Sequence, residues 1–245
     1  MLIDTHAHLN FEAFNADWKE KIGRCFNEDV AVINVGSDYN TSKKAIEIAG
    51  FFDGKVYAAV GTHPIHAKEG FDAARFKELA ESSKVVAIGE IGLDKFKEYG
   101  LFFEDQKKIF KEQLNLAKEL DLPVIIHCRM AHSELIEMLS GFKIRGVLHC
   151  FTGTWEDAQK YLNMGLYLGI NGIMYRFDLK EVIEKTPLDK LLLETDSPYL
   201  GLNKEERNEP VFVKQIAKDI ARIKGISFED VAEITTLNAQ TLFSI

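Results

Sequence analysis

The chain has 245 residues, 46% of them hydrophobic, and a formal net charge of −8. That length and apolar content suit one substantial core, so a single domain over residues 1–245 is expected. The acidic balance counts against broad, non-specific association with polyanions, because such binding draws its affinity from Lys and Arg displacing phosphate counterions.

Short apolar runs rich in β-branched residues recur along the chain with helical stretches between them, the pattern of repeated βα units and a parallel sheet. In chain order they fall at residues 2–4, 30–35, 56–60, 85–88, 124–126, 146–148, 166–169 and 191–193. Eight such runs are what a closed (β/α)8 TIM barrel needs, and additional C-terminal helices follow the eighth. Between the fourth and fifth runs, Phe103, Phe110, Leu114, Ala117 and Leu120 form an apolar stripe at helical spacing, with Lys107, Lys108, Lys111 and Lys118 on the solvated face. Ser227, with Asp230 three residues on, reads as a capping box opening the last helix. No linker, repeat or low-complexity tract interrupts the series. A run of about 18 apolar residues, as a bilayer span needs, is missing. The opening MLIDTHAHLN has no signal-peptide core. Cys25, Cys128 and Cys150 form no CxxC pair and fit reduced thiols, so a cytoplasmic protein with no membrane role is expected.

Chemistry-bearing side chains gather where the runs end. His6 and His8 follow the first run, and alternate residues of a strand project to one side, so the pair presents its two imidazoles together. Glu90 ends VVAIGE, His127 ends LPVIIH, His149 ends GVLH, and Asp196 follows LLLE. In an α/β barrel the C-terminal strand ends converge on the face that carries the active site. Four imidazoles and two carboxylates can hold two divalent cations if one carboxylate bridges them and water fills the open positions. Glu90 is the expected bridge, and Asp196 the expected acceptor of a proton from an attacking water. The donor set suits zinc, manganese or iron. Taken singly, His127 or His149 could be a buried histidine satisfied by backbone, and Asp196 could cap the turn in TDSP.

The segments DTHAHLN, GTHP, GEIGLD, LPVIIHCR, GVLHCFTG, LLLETDSPYL and RNEP, in that order, resemble the TatD-type metal-dependent deoxyribonucleases of the amidohydrolase superfamily, over residues 3–210. The resemblance implies a (β/α)8 barrel, dependence on divalent metal with magnesium among the choices, and hydrolysis of phosphodiester bonds in DNA, often from a strand end. Carried over position by position, the family's ligands fall on His6, His8, Glu90, His127, His149 and Asp196. His63 of GTHP takes a supporting or phosphate-contacting role; a histidine holding a Pro-containing turn is the other reading.

Three features depart from the family's pattern. Lys95 stands where an aromatic residue usually follows GLD, Met130 stands where an acidic residue usually follows Arg129, and LGLNKEE after Tyr199 is shorter than the usual Pro-rich loop bearing Arg, Gly and Lys. With Met130 neutral, Arg129 is open either to phosphate binding or to a structural ion pair. Glu205 and Glu206 add negative charge where the family tends to be basic, which weakens attraction to polyanions. Cys128 and Cys150, each following a ligand, are expected to face the layer between barrel and helices. His66 and His132 are expected to be structural or exposed, and Phe151, Thr152 and Gly153 to form a loop able to offer backbone N–H groups to a phosphate. The expected partner is DNA as substrate, with no obligate protein partner. Another ester or amide, such as aminoacyl-tRNA or a small phosphoester, is the alternative substrate, and a non-catalytic binding scaffold is a third reading.

Overall fold

The computed structural model describes residues 1–201 and 206–245, so Glu205 lies outside the described residues. In chain order the elements are β1 (Leu2–Ala7), α1 (Trp18–Asn27), β2 (Val30–Val35), α2 (Tyr39–Gly50), β3 (Val56–Val60), α3 (Ala73–Ala80), β4 (Val85–Asp94) and α4 (Phe103–Glu119). There follow β5 (Val124–Arg129), α5 (His132–Leu139), β6 (Gly146–Leu148), α6 (Trp155–Asn163), β7 (Tyr167–Ile170), α7 (Lys180–Lys185), β8 (Leu191–Leu193), α8 (Val213–Lys224) and α9 (Phe228–Phe243). Among the described residues no helix is long and apolar enough to cross a membrane.

The strands pair in parallel in sequence order from β1 to β8, making a (β/α)8 barrel. Its seam is closed by side-chain and loop hydrogen bonds. Thr5 Oγ1 donates to Leu193 O at 3.0 Å, Asp196 N to His6 O at 2.8 Å, and His8 N to Ser197 O at 2.8 Å.

Successive strand side chains point to opposite faces, and here the two faces feed two separate cores. Ile3, Ala31, Ile33, Ile125, Val147 and Leu192 fill the barrel interior, where Ala239, Leu242 and Phe243 of α9 close its N-terminal end. Their neighbours Leu2, Val30, Val32, Val124, Leu148 and Leu191 pack outward against Phe110, Leu114, Leu135, Tyr161 and Ile216 of the helices. The last helix opens as expected, with Ser227 Oγ accepting from Asp230 N at 3.0 Å and Asp230 Oδ2 accepting from Ser227 N at 3.3 Å.

Three strands run past their apolar runs. β1 continues to Ala7, β4 to Asp94 and β5 to Arg129, so His6, Glu90 and His127 lie inside strands and not after or at their ends, contrary to the expectation from sequence. Polar residues conceal these extensions. Against β5, β4 carries one extra residue between Ile88 and Ile91, and against β2, β1 carries one between Asp4 and Ala7. Such bulges re-aim side chains, and these two fall at Glu90 and His6.

Helix α4 fixes the strand mouths through side-chain amides that imitate a neighbouring strand. Gln113 bonds both backbone polar groups of Thr62, at 2.7 and 3.0 Å. Gln106 does the same for Asp94, at 2.8 and 2.9 Å.

Candidate metal centre

Asp4, fully buried in β1, accepts from His6 N at 3.2 Å, Thr195 N at 2.8 Å and Thr195 Oγ1 at 2.6 Å, locking the first strand to the chain beyond β8. Burial pushes its carboxyl well above the usual carboxylate range, against the pull of the Thr195 hydroxyl. Above it, His6 and His8 bring their Nε2 atoms to 3.1 Å. His8 Nδ1 lies 2.8 Å from Val35 O, and because a carbonyl only accepts, Nδ1 carries the proton and Nε2 is left with its lone pair facing the centre.

Glu90 stands between two sets of imidazoles. Its Oε2 lies 3.4 Å from His6 Nε2 and 3.8 Å from His8 Nε2. Its Oε1 lies 2.9 Å from His127 Nδ1, 3.4 Å from His63 Nε2 and 3.9 Å from His149 Nε2. Asp196 Oδ1 completes the ring, 3.4 Å from His8 Nε2 and 3.8 Å from His149 Nε2. All six residues expected as ligands are thus brought together, with His63 joining them. Their donor atoms form three overlapping groups able to hold a cation: His6, His8 and Glu90; His6, His149 and Asp196; His63, Glu90 and His127.

The electrostatics follow from burial and mutual contact. Burial raises the Glu90 carboxyl, but His63, His6 and His127 outweigh it and hold the group well below its usual range. Asp196 is likewise lowered despite burial, chiefly by His149. Burial depresses His6 and takes His63 down to about 4. For His149 burial is overcome by the Glu194 and Asp196 carboxylates, which lift it to about 10. His127 is raised by Asp94 and Glu90 in the same way. Neutral imidazole nitrogens and carboxylate oxygens are the donors that divalent ions prefer. Among the described residues no Lys or Arg pairs with Glu90 or Asp196, so the residues fit a bound cation as the source of positive charge.

Two further carboxylates orient the ligands, and neither was picked out from sequence. Glu194 Oε1 lies 2.9 Å from His149 Nδ1 and accepts from Cys150 N at 2.7 Å and Asn171 Nδ2 at 2.9 Å. Its head lies over the bare Cα of Gly169, where a Cβ would meet Glu194 Oε2 at 2.4 Å. Asp94 lies 3.2 Å from His127 Nε2, which leaves Nδ1 to face Glu90. The strands can close here because Gly92, at φ 148°, has no Cβ to strike His127 O at 2.0 Å. Sequence placed GLD and LLLETD at the mouth, but which carboxylate of each motif turns inward depends on partners from other strands. Partners of this kind typically change metal affinity by about 10–100-fold. Glu194→Gln, which keeps the shape and loses the charge, is expected to weaken metal binding by about that factor in a calorimetric titration; unchanged affinity would remove Glu194 from the centre.

Arg129 is engaged as an ion pair. Its Nε donates to Asp94 Oδ1 at 3.0 Å and its Nη2 to Oδ2 at 2.6 Å, while the guanidinium lies over the Phe96 ring at 4.4 Å. Asp94 therefore supplies the orienting charge that neutral Met130 does not. His63 is both a neighbour of Glu90 and the holder of its turn, since Nδ1 accepts from Ile65 N at 3.1 Å. Lys95 pairs with Glu134 of α5 and lies over Phe103 at 4.5 Å.

Some expectations need correction. Cys128 and Cys150 both pack on the outer layer as expected, but Cys150 does so from beyond the strand, in a left-handed conformation, with its thiol 3.6 Å from Asn171 Oδ1. The N–H of Phe151 is spent on Gly169 O at 3.1 Å, so it is not open to a phosphate. His66 pairs with Glu69 at 2.9 Å, and His132 bonds the Tyr161 hydroxyl at 3.0 Å.

A buried cluster of imidazoles and carboxylates at the C-terminal mouth of a (β/α)8 barrel defines the class: a metal-dependent hydrolase. The chain belongs to the TatD related DNase family, whose model matches residues 3–244. It is 41% identical, over the whole of both chains, to a Bacillus subtilis protein named uncharacterized metal-dependent hydrolase YabD. It is 36% identical, again over the whole of both, to the Erwinia tasmaniensis protein named 3'-5' ssDNA/RNA exonuclease TatD. Among solved structures, the TatD homolog YJJV from Escherichia coli superposes with a TM-score of 0.93 at 31% identity, covering 100% of this chain and 98% of that one.

Proposed function

We propose that residues 1–245 form one catalytic unit, a cytoplasmic deoxyribonuclease that removes nucleotides from DNA strand ends at a centre holding two divalent cations. The observation that carries the reading is the placement of Glu90, whose two carboxylate oxygens face different imidazole sets, as a bridging ligand requires. His6 and His8 would hold one cation with Oε2, and His127, helped by His63, the other with Oε1, leaving His149 and Asp196 between the two. Magnesium, manganese and zinc all accept such ligands. Bound there, the pair would acidify a water molecule and neutralise charge developing on the phosphoryl oxygens.

The protein's own groups do the rest. Asp196 stays ionised beside His149 and accepts the proton released by the attacking water. Glu194 and Asp94 hold His149 and His127 in their orientations. Arg129, fixed on Asp94, turns its remaining guanidinium edge to the substrate phosphate. The exonuclease name carried by the Erwinia relative supports nucleic acid as the partner.

The test is hydrolysis of end-labelled single-stranded DNA by metal-stripped protein resupplied in turn with magnesium, manganese or zinc. Metal-restored release of mononucleotides is expected. A chain that binds two ions yet cuts no strand would overturn the nuclease reading and direct the search to other esters and amides.

A further inference from the structure

Aromatic side chains stand on two opposite sides of the metal centre. Next to His8, Phe11 lies parallel to the imidazole with ring centroids 4.2 Å apart. Tyr199 meets both rings edge-on, at 6.4 Å from Phe11 and 6.2 Å from His8, and is 54% exposed. Its hydroxyl makes no hydrogen bond among the described residues. Next to His127, the Arg129 guanidinium lies 4.4 Å from the Phe96 ring and 5.7 Å from the Tyr99 ring, with Asp94 joining it to the histidine.

The first group sits where β1 meets the segment after β8, the second at β4 and β5. In an eight-stranded closed barrel these positions face each other across the mouth. His8 and His127 correspondingly lie on opposite oxygens of Glu90. An aromatic ring serving only the core would be covered; these rings are partly open and border the buried ligands.

A phosphodiester carries one nucleoside on each side of its phosphorus, and an unpaired base stacks well on an aromatic ring or a guanidinium plane. We propose that Phe11 with Tyr199, and Phe96 with Tyr99 and Arg129, are stacking stations for the two nucleobases that flank the scissile phosphate. The inference rests on the nuclease reading of the centre and narrows it: the substrate is a strand whose last two bases are unpaired and splayed to opposite sides of the mouth. A base held in a duplex cannot reach either station.

The test separates binding from cutting. The affinity of the metal-loaded protein is measured by fluorescence anisotropy for an eight-nucleotide single strand, labelled internally with fluorescein and slowed to cleavage by terminal phosphorothioate linkages. The same strand lacking the two bases at each end is the comparison. Stacking is worth about 1–3 kcal/mol per base, so Tyr199→Ala and Phe96→Ala are each expected to weaken binding of the intact strand by roughly 5–150-fold. Both substitutions should have far less effect on the abasic strand, and Tyr199→Phe, which keeps the ring, should restore binding. Equal affinity of the wild type for the two strands, or alanine variants that weaken both by the same factor, would overturn the stations. Cleavage of the unmodified strand is scored separately. Discrimination between strands without cleavage removes the nuclease reading and leaves the stations; cleavage without discrimination does the reverse.

Discussion

Glu90→Gln is expected to lower strand hydrolysis on the order of 10³-fold, because transition-state charge stabilisation by bound cations is worth several kcal/mol and this carboxylate is the one that touches both imidazole sets. The amide has nearly the same size, so the bulge in β4 and the neighbouring packing have no reason to change. What changes is charge and the lone pairs on one arm: an N–H group then stands where a cation needs a donor of electrons. Elemental analysis should therefore show fewer than two ions per chain, alongside the lost turnover. If the variant kept two ions and lost less than tenfold in rate, Glu90 would be a bystander, and the bridge would have to be sought at Asp196.

At the opposite end of the barrel, Phe243→Ala is expected to destabilise the protein by about 3–5 kcal/mol, the usual range for truncating a buried Phe. The ring is 3% exposed and belongs to the interior cluster formed with Ile3, Ile33, Ile125 and Leu192. Around it the strands are hydrogen-bonded to one another and cannot collapse into the cavity, which places the effect toward the upper part of the range. For a chain of this size, about 2–4 °C per kcal/mol makes the expected fall in Tm about 6–20 °C. Calorimetry would measure it. A fall under about 3 °C would mean that the end of α9 covers the barrel without supporting it.

Where apolar runs stop at a turn, sequence and structure coincide: residues 30–35, 56–60, 146–148 and 191–193 are strands with the same limits. Where a strand continues through polar residues the run is cut short, as at 85–88, because hydrophobicity cannot register a segment whose outer half lines a charged site. The six residues expected as ligands could be collected because imidazoles recurring after apolar runs are rare enough to stand out. Glu194 and Asp94 were not collected. A carboxylate that orients a histidine looks, in one dimension, like any acidic residue near a loop, and only the closing of the barrel sets Glu194 against His149 and Asp94 against His127. Arg129 shows the converse: both of its readings were open until the fork onto Asp94 could be seen.

The closure of the barrel also dates the centre in the life of each molecule. His6 and His8 are synthesised well before Asp196, and the hydrogen bond across their seam, Thr5 to Leu193, joins residues 188 apart. Contacts of such sequence separation form late, after the intervening chain has paid its loop-closure entropy. A nascent or prematurely terminated chain ending before β8 still has five of the six expected ligands, yet it has neither Asp196 nor the seam that positions the first two. Assembly of the full donor set is thereby tied to closure of the barrel at β8.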